Sequence, residues 1–194
     1  MKKILVVVFS VLIFAACTMP ETKIYSLSVK NEITKPAIRT GASINITVKS
    51  ARYLSQSYIA HRTSPYELQI SRYYKWDSAP DEIVKEAFRE SLANANMFNE
   101  VRTSNFVAAD VYSLEINLKK FERFDGADGS YGDLAFEVLL ISPEGRELYR
   151  GSVSKRMKMA EKNFTGLAKV LSAGLSEGIE EVEAGIVKNM PAGT

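Results

Sequence analysis

The chain has 194 residues, with 25 lysines and arginines against 23 aspartates and glutamates, so it lacks the basic excess of a nucleic-acid-binding domain. One cysteine and one histidine leave no intramolecular disulfide and too few ligands for structural zinc. The length suits a single domain of ordinary size that buries a core without covalent staples.

Lys2 and Lys3 precede an apolar run from Ile4 to Ala16, interrupted only by Ser10. A helix needs about 20 such residues to span a bilayer, so the run reads as the core of an export signal. It ends in Phe14-Ala15-Ala16-Cys17, a lipobox with Phe where Leu is usual. The small side chains give a signal peptidase access to the bond before the cysteine. Residues 1–16 are expected to be removed and Cys17 to become the lipidated N-terminus. The alternative is an ordinary secretory signal that happens to end at a cysteine, which would leave a lone thiol in an oxidising compartment. Removal leaves 178 residues carrying 23 basic and 23 acidic side chains, because the signal holds two lysines and no acid. Each buried CH2 of an acyl chain contributes about 0.8 kcal/mol, and two or more chains make attachment effectively permanent. Thr18, rather than Asp, follows the cysteine, which favours the periplasmic face of the outer membrane in Gram-negative bacteria. Residues 17–22, with Met19-Pro20-Glu21, form a short polar tether that keeps the domain near the membrane. Residues 23–190 are expected to be one periplasmic domain.

The first strand is expected over Ile24 to Val29, with Tyr25, Leu27 and Val29 on one face. Asn31 to Gly41 reads as a connection. Ile44, Ile46 and Val48 alternate with Asn45, Thr47 and Lys49, the period of a half-buried strand. Tyr58 to Arg62 is a short extended piece ending at a Ser64-Pro65 turn, and Tyr66, Leu68 and Ile70 begin another strand. Ser78-Ala79-Pro80-Asp81 is a helix start, with Ser78 as cap and the acids Asp81 and Glu82 in the first turn. Val84, Ala87, Phe88, Ser91, Leu92 and Ala95 then form one stripe, and the helix should end near Asn94-Ala95-Asn96. Tyr112, Leu114, Ile116 and Leu118 define a strand, followed by a polar loop from Asp125 to Ser130. Leu134, Phe136, Val138 and Leu140 define the next, whose apolar neighbours Leu139 and Ile141 suggest cover on both faces. Ser142-Pro143-Glu144-Gly145 has the residues of a type I turn, and Leu148 to Met159 is the return strand. Phe164, Leu167, Ala168, Leu171, Leu175, Ile179, Val182 and Ile186 mark a long last helix, whose glycines at 166, 174, 178 and 185 permit close packing. The expected fold is α+β, a mostly antiparallel sheet with two amphipathic helices packed on one face.

No side-chain constellation points to catalysis. His61, the sole histidine, has no G-x-S-x-G elbow beside it and reads as a strand-end surface residue. Ala127 and Gly129 occupy positions where an EF-hand loop needs ligands, so the Asp125 loop reads as a hairpin rather than a calcium site. A Walker G-x-x-x-x-G-K-[ST] is absent from the sequence, so any ATPase must be another subunit. No metal or other cofactor is expected. Tyr73, Tyr74 and Trp76 beside the helix start have two readings: a partner-docking patch, or rings that seal the sheet against the helix. Leu139 with Ile141, or Val153 with Met157 and Met159, either pack in the core or line an exposed apolar face able to accept a partner strand or a lipid tail.

Several segments resemble a known family. Tyr74-Lys75-Trp76, followed by Pro80 and an amphipathic helix, resembles the aromatic-rich Y-x-W…P segment of the ABC-type transport auxiliary lipoproteins. Tyr58-Ile59-Ala60-His61-Arg62-Thr63 and Tyr66-Glu67-Leu68 resemble the stretch before it, and Leu118-Lys119-Lys120-Phe121-Glu122 is similar to a family strand that ends in a Phe-Glu pair. The order of elements agrees over nearly the whole chain. The resemblance implies a non-catalytic accessory subunit of an MCE-type or paraquat-inducible lipid transport system, at the outer membrane. Its partners would be an MCE-type periplasmic protein and an ABC permease/ATPase complex. A homo-oligomer, as a ring or dimer around a tubular partner, fits the same role. Only the lipobox cysteine carries over residue by residue, to Cys17. The alternative function is a stand-alone outer-membrane assembly or envelope-maintenance lipoprotein, such as a lipopolysaccharide-export accessory. An envelope hydrolase, the third class, would need the nucleophile–base pair that the motifs do not supply.

Overall fold

The computed structural model describes residues 20–29, 40–104 and 110–190. Its eight strands are β1 (Lys23–Tyr25), β2 (Ser43–Ser50), β3 (Tyr58–Ser64), β4 (Glu67–Trp76), β5 (Glu100–Arg102), β6 (Tyr112–Gly126), β7 (Gly129–Ile141) and β8 (Glu147–Lys158). A 3-10 turn (Arg52–Ser55) joins β2 to β3, and the two helices are α1 (Pro80–Ala95) and α2 (Phe164–Asn189). The class is α+β, with both helices packed on one face. The sheet is mixed. The long β6–β7–β8 ladder and the β3–β4 hairpin are antiparallel. The joins of β1 to β4, β5 to β2, and β2 and β3 to β6 are parallel.

The centre of the sheet is β6. One of its edges carries all of β7, while the other is shared: β2 pairs with Ile44 to Ser50 against Tyr112 to Leu118, and β3 takes over at Arg123 and Phe124. The 3-10 turn lifts the chain away from β6 between these two contacts. It is pinned from the start of α1, where the Asp81 carboxylate accepts hydrogen bonds from Ser50 Oγ (3.0 Å) and Ser55 Oγ (2.5 Å). A register shift in β6 between Leu118 and Lys120 adds one residue opposite β7. It resets the alternation, so Leu114, Ile116, Leu118 and Phe121 all enter the core.

The expected helical stripe of α1 is buried in full: Val84, Ala87, Phe88, Ser91, Leu92 and Ala95. Ser78 does not cap it. Ala79 holds the N-cap position in an extended conformation, with Pro80 fixing the first turn and Asp81 and Glu82 complementing the positive helix end. Asn96 ends the helix in the left-handed conformation at φ 54°. In α2 the Asn163 side chain caps Gly166 N–H at 2.7 Å, and Leu167, Leu171, Leu175, Ile179, Val182 and Ile186 are buried.

Two connections differ from the sequence expectation, and a third forms as expected. The first strand ends at Tyr25, because the following segment turns toward α2 and Ser28 N–H donates to Ser172 Oγ (3.0 Å). Tyr25, Leu27 and Val29 still face the core together. The polar stretch around Asp125 is not a long loop: Gly126 pairs with Gly129, leaving Ala127 and Asp128 as a two-residue hairpin turn. Asp125 accepts from Arg123 Nε (2.9 Å) and Ser130 Oγ (2.5 Å). At Ser142 to Gly145 the expected turn forms, closed by Gly145 N–H to Ser142 O (2.9 Å), with Gly145 at φ 79°. That left-handed glycine and the register shift beside it make a type I turn with a bulge.

α2 lies close to β7 and β8. Val153 and Met159 are buried and Met157 packs against the core, so these three residues do not form an exposed sheet face. Gly132 on β7 sits beneath α2, where an added Cβ would lie 2.7 Å from Val170 Cγ2. Valine is too stiff to move aside, and overpacking of this kind costs about 1–3 kcal/mol. Gly132→Ala should therefore lower the melting temperature by about 2–12 °C, given the slope for a domain of this size, although alanine is the better strand residue. Differential scanning calorimetry measures this.

The two helices also meet through a polar contact. Ser91 Oγ on α1 donates to Glu183 Oε1 on α2 at 2.7 Å. Burial pushes the Glu183 carboxyl above its ordinary value, outweighing the Ser91 bond, with Glu180 adding to the rise. The folded protein then holds this proton more tightly than the unfolded chain does. Stability from this site is greatest in acid and declines as pH rises through the folded value. Glu183→Gln should be more stable than the parent near neutral pH, and the gap should close in mild acid; thermal melts across that range test it.

Candidate functional site

Cys17 and the export signal lie outside the described residues. The sheet begins at β1, where Lys23, Ile24 and Tyr25 pair with Tyr74, Lys75 and Trp76 of β4. Tyr25, Tyr74 and Phe164 form an aromatic trio that fastens β1 and β4 to the start of α2. Their ring centroids are 6.3 Å (Tyr25–Tyr74), 5.9 Å (Tyr25–Phe164) and 4.6 Å (Tyr74–Phe164) apart. Trp76 is buried and meets Phe121 of β6 edge-to-face at 5.4 Å. The three aromatic residues proposed from sequence are thus divided. Tyr74, half-buried, and Trp76, buried, pack their rings between the sheet and the helices, whereas Tyr73 is 41% exposed. Period-2 alternation along a strand accounts for the split, since positions 74 and 76 share a face and 73 opposes them.

The sheet face away from the helices carries a pair of buried carboxylates. Glu122, with its side chain 2% exposed, accepts hydrogen bonds from Arg62 Nε (2.8 Å) and Tyr53 Oη (3.1 Å). Burial, reinforced by the Glu122 charge and hydrogen bond, pushes the Tyr53 hydroxyl up to about 12. Burial works against the Arg62 cation, but its contacts with Glu122 more than offset this and raise its pKa. Asp133 on β7 takes a two-pronged contact from Arg156 of β8 (2.8 and 2.6 Å), and Lys120 Nζ lies 3.9 Å away. The Arg156 guanidinium also lies over the Phe124 ring, 4.4 Å from its centre. Together with Pro65 these groups, apart from Tyr53, line a shallow hollow of about 280 Å³. The chemistry is that of matched ion pairs. His61 lies in β3, opposite Gln69 and Arg123 and not at a strand end. Leu139 and Ile141, half-buried and alternating with the core residues Val138 and Leu140, belong to this same outer face, which among the described residues no helix covers.

Sequence reasoning did not find the Arg62–Glu122 pair. The two residues are 60 positions apart, and an acidic residue at a strand end ordinarily reads as solvated. The signal that could have exposed it is the placement of Phe121 beside Glu122, both buried, at a break in the strand's alternation. Removing one partner of a buried pair strands the other charge. Arg62→Ala should cost about 3 kcal/mol, read as a lowered urea midpoint. Adding Glu122→Gln to it should recover most of that loss, because Tyr53 can still bond a neutral amide.

Residues 25–183, most of the chain, match the family described as the ABC-type transport auxiliary lipoprotein component. Among solved structures, protein XCC0632 from Xanthomonas campestris is similar with a TM-score of 0.73 at 16% identity, over 86% of this chain and 96% of that one. A second crystal structure, of an uncharacterised protein, gives 0.68 at 17% identity, covering 86% of this chain and 99% of the other. The PelC dodecamer from Paraburkholderia phytofirmans gives 0.47 at 14% identity, over 77% and 93%. For the first two, at these identities, the likeness is one of fold. No curated protein matches the chain. With the family match spanning the sheet and most of α2, the chain belongs to the ABC-type transport auxiliary lipoprotein family.

Proposed function

We propose that this protein is the non-catalytic, lipid-anchored auxiliary subunit of an ABC-linked intermembrane lipid transport system of the MCE or paraquat-inducible type. Acyl chains on Cys17 hold it at the periplasmic face of the outer membrane. The observation that carries this reading is the family match across residues 25–183. The chemistry of the domain agrees with it: the buried carboxylates of Glu122 and Asp133 are committed to Arg62, Tyr53 and Arg156, as structural pairs are, and not to activating a nucleophile. Work against a gradient is supplied by a partner ATPase, and the contribution of this subunit is position. A tether of six residues, 17–22, confines the domain to within about 20 Å of its anchor. That confinement raises its local concentration beside any partner at the same membrane.

Affinity purification of the tagged full-length protein from crosslinked cell envelopes is expected to recover an MCE-domain protein together with an ABC permease and ATPase. Cys17→Ser is expected to shift the protein into the soluble periplasmic fraction and to lose those partners. Recovery of lipopolysaccharide-export or other assembly factors in place of the transporter would favour the stand-alone reading. A native mass without attached fatty acid, or a Cys17→Ser form that still sediments with membranes, would remove the anchor on which the proposal stands.

A further inference from the structure

We propose that the corner made by β1 and the β3–β4 hairpin is the face the domain lays against the lipid bilayer, with Tyr66, Ile70 and Tyr73 seated in the headgroup region and Ile24 beside them. The inference rests on the reading that Cys17 carries the acyl chains, and it adds an orientation that the anchor alone does not specify.

Among the described residues, four large apolar or aromatic side chains stand exposed: Ile24 at 66%, Tyr66 at 96%, Ile70 at 44% and Tyr73 at 41%. Isolated exposed residues of this kind are ordinary on a soluble surface and need no explanation. Here all four fall on β1 and a single hairpin. Tyr66 is in the two-residue turn between Ser64 and Glu67. Neither Pro65 nor Tyr66 has positive φ, so the turn is not of the primed type that follows the strand twist, and the register is irregular between His61 and Ser64. Tyr66 is thereby held out at the tip instead of folded back onto the sheet.

The tether points to the same corner. β1 runs parallel to β4 with Lys23 opposite Tyr74, so the chain enters the sheet from the end of β4 that carries Tyr73, Ile70 and the tip. Five residues separate Cys17 from Lys23, six Cα-to-Cα steps that span at most about 20 Å. The aromatic trio of Tyr25, Tyr74 and Phe164 removes slack at the point of entry. Once acyl chains are in the bilayer, this corner is the part of the domain closest to it.

Side-chain chemistry selects lipid over a protein partner. A tyrosine has an apolar ring and a polar hydroxyl, which suits the boundary between acyl chains and water. The exposed charges nearby balance, Lys23 and Arg72 against Glu21 and Glu67, so the contact does not depend on anionic lipid. A protein docked here would have to occupy space that the short tether already assigns to the membrane. The consequence is directional. β3 lies along the Gly126 end of β6, which puts the β7–β8 turn (residues 142–146) and the C-terminal end of α2 at the opposite end, facing the periplasm.

The test uses the full-length lipidated protein in vesicles. Lipidation consumes the only native thiol, so Tyr66→Cys, Tyr73→Cys and, as a control at the far end, Glu144→Cys each provide one site for an environment-sensitive fluorophore. Vesicles are made of phosphatidylcholine, or of phosphatidylethanolamine with phosphatidylglycerol, each with and without a headgroup-nitroxide lipid. Labels at 66 and 73 should be quenched several-fold more strongly than the label at 144, equally in both lipid mixtures. Equal quenching at 66 and 144 would overturn the orientation. So would a label at 66 that is shielded from water yet unquenched by the nitroxide lipid, since that signals contact with a second protein copy. Flotation separates the two readings: protein that floats with an unquenched label at 66 defeats the membrane contact alone, whereas protein that fails to float defeats the anchor and this proposal with it.

Discussion

The architecture depends on a single strand edge that serves two neighbours. β6 pairs with β2 up to Leu118 and with β3 from Arg123, and the stretch between has to satisfy both faces of the sheet without a continuous ladder on that side. The extra residue near Lys119 is what makes this workable. It sends Phe121 inward against Trp76 and Glu122 outward to Arg62 and Tyr53. The fork is thus closed on one side by stacked aromatic rings and on the other by a buried ion pair. Charge burial is a weak source of net stability. Glu122 instead discriminates the register of β3, since a slip by one residue would bring His61 or Thr63 to the carboxylate in place of Arg62.

Around that fork the two faces follow different rules. The inner face is apolar and covered: α1 and α2 bury continuous stripes, and glycines let α2 approach the sheet, as at Gly178, where an added Cβ would be 3.0 Å from Phe136 Cζ. A position that needs this closeness accepts the lower helix propensity of glycine, about 1 kcal/mol relative to alanine. The outer face is held by ion pairs, with the Asp133–Arg156 contact repeating the logic of Glu122–Arg62 one strand over. Lys155, on the inner side of β8, reaches Glu177 and Glu181 of α2 at 3.1 and 2.7 Å, so the edge of the helix layer is electrostatic as well as apolar.

Most elements were legible in the sequence because they are locally periodic. The stripe from Val84 to Ala95 and the alternation from Leu134 to Leu140 each repeat often enough to fix type and face. What was not legible is non-local. The parallel joins of β1 to β4 and of β2 to β6 connect segments tens of residues apart, and no local pattern encodes which strand is a neighbour. The three-residue β5 is too short to show a period. Ser78 had the right chemistry for a cap, but Pro80 sets the first helical residue and leaves Ala79 at the N-cap position. At the candidate site, composition drew attention to Tyr73, Tyr74 and Trp76 as a group, whereas alternation separates them. The resemblance-bearing segments proved to be spatially joined. His61-Arg62, Tyr74 to Trp76 and Phe121-Glu122 come from three strands that meet at the fork, which is why short and scattered motifs carry a family signal over most of the chain.

The anchoring proposed for the N-terminus requires β1 to be mechanically connected to the rest of the domain. β1 has only three paired residues, on the edge of the sheet, and hydrogen bonds at an edge strand are the first to fray. The aromatic trio supplies the missing stiffness by passing load from Tyr25 through Tyr74 to Phe164 at the first turn of α2. From there the helix continues for 26 residues, about 39 Å at 1.5 Å per residue, to the end of the sheet where β7 turns into β8. Bound along its length by buried leucines and isoleucines, α2 acts as a strut between the tethered corner and the far end. β1 and the C-terminal helix, remote in sequence, form one mechanical path in the fold.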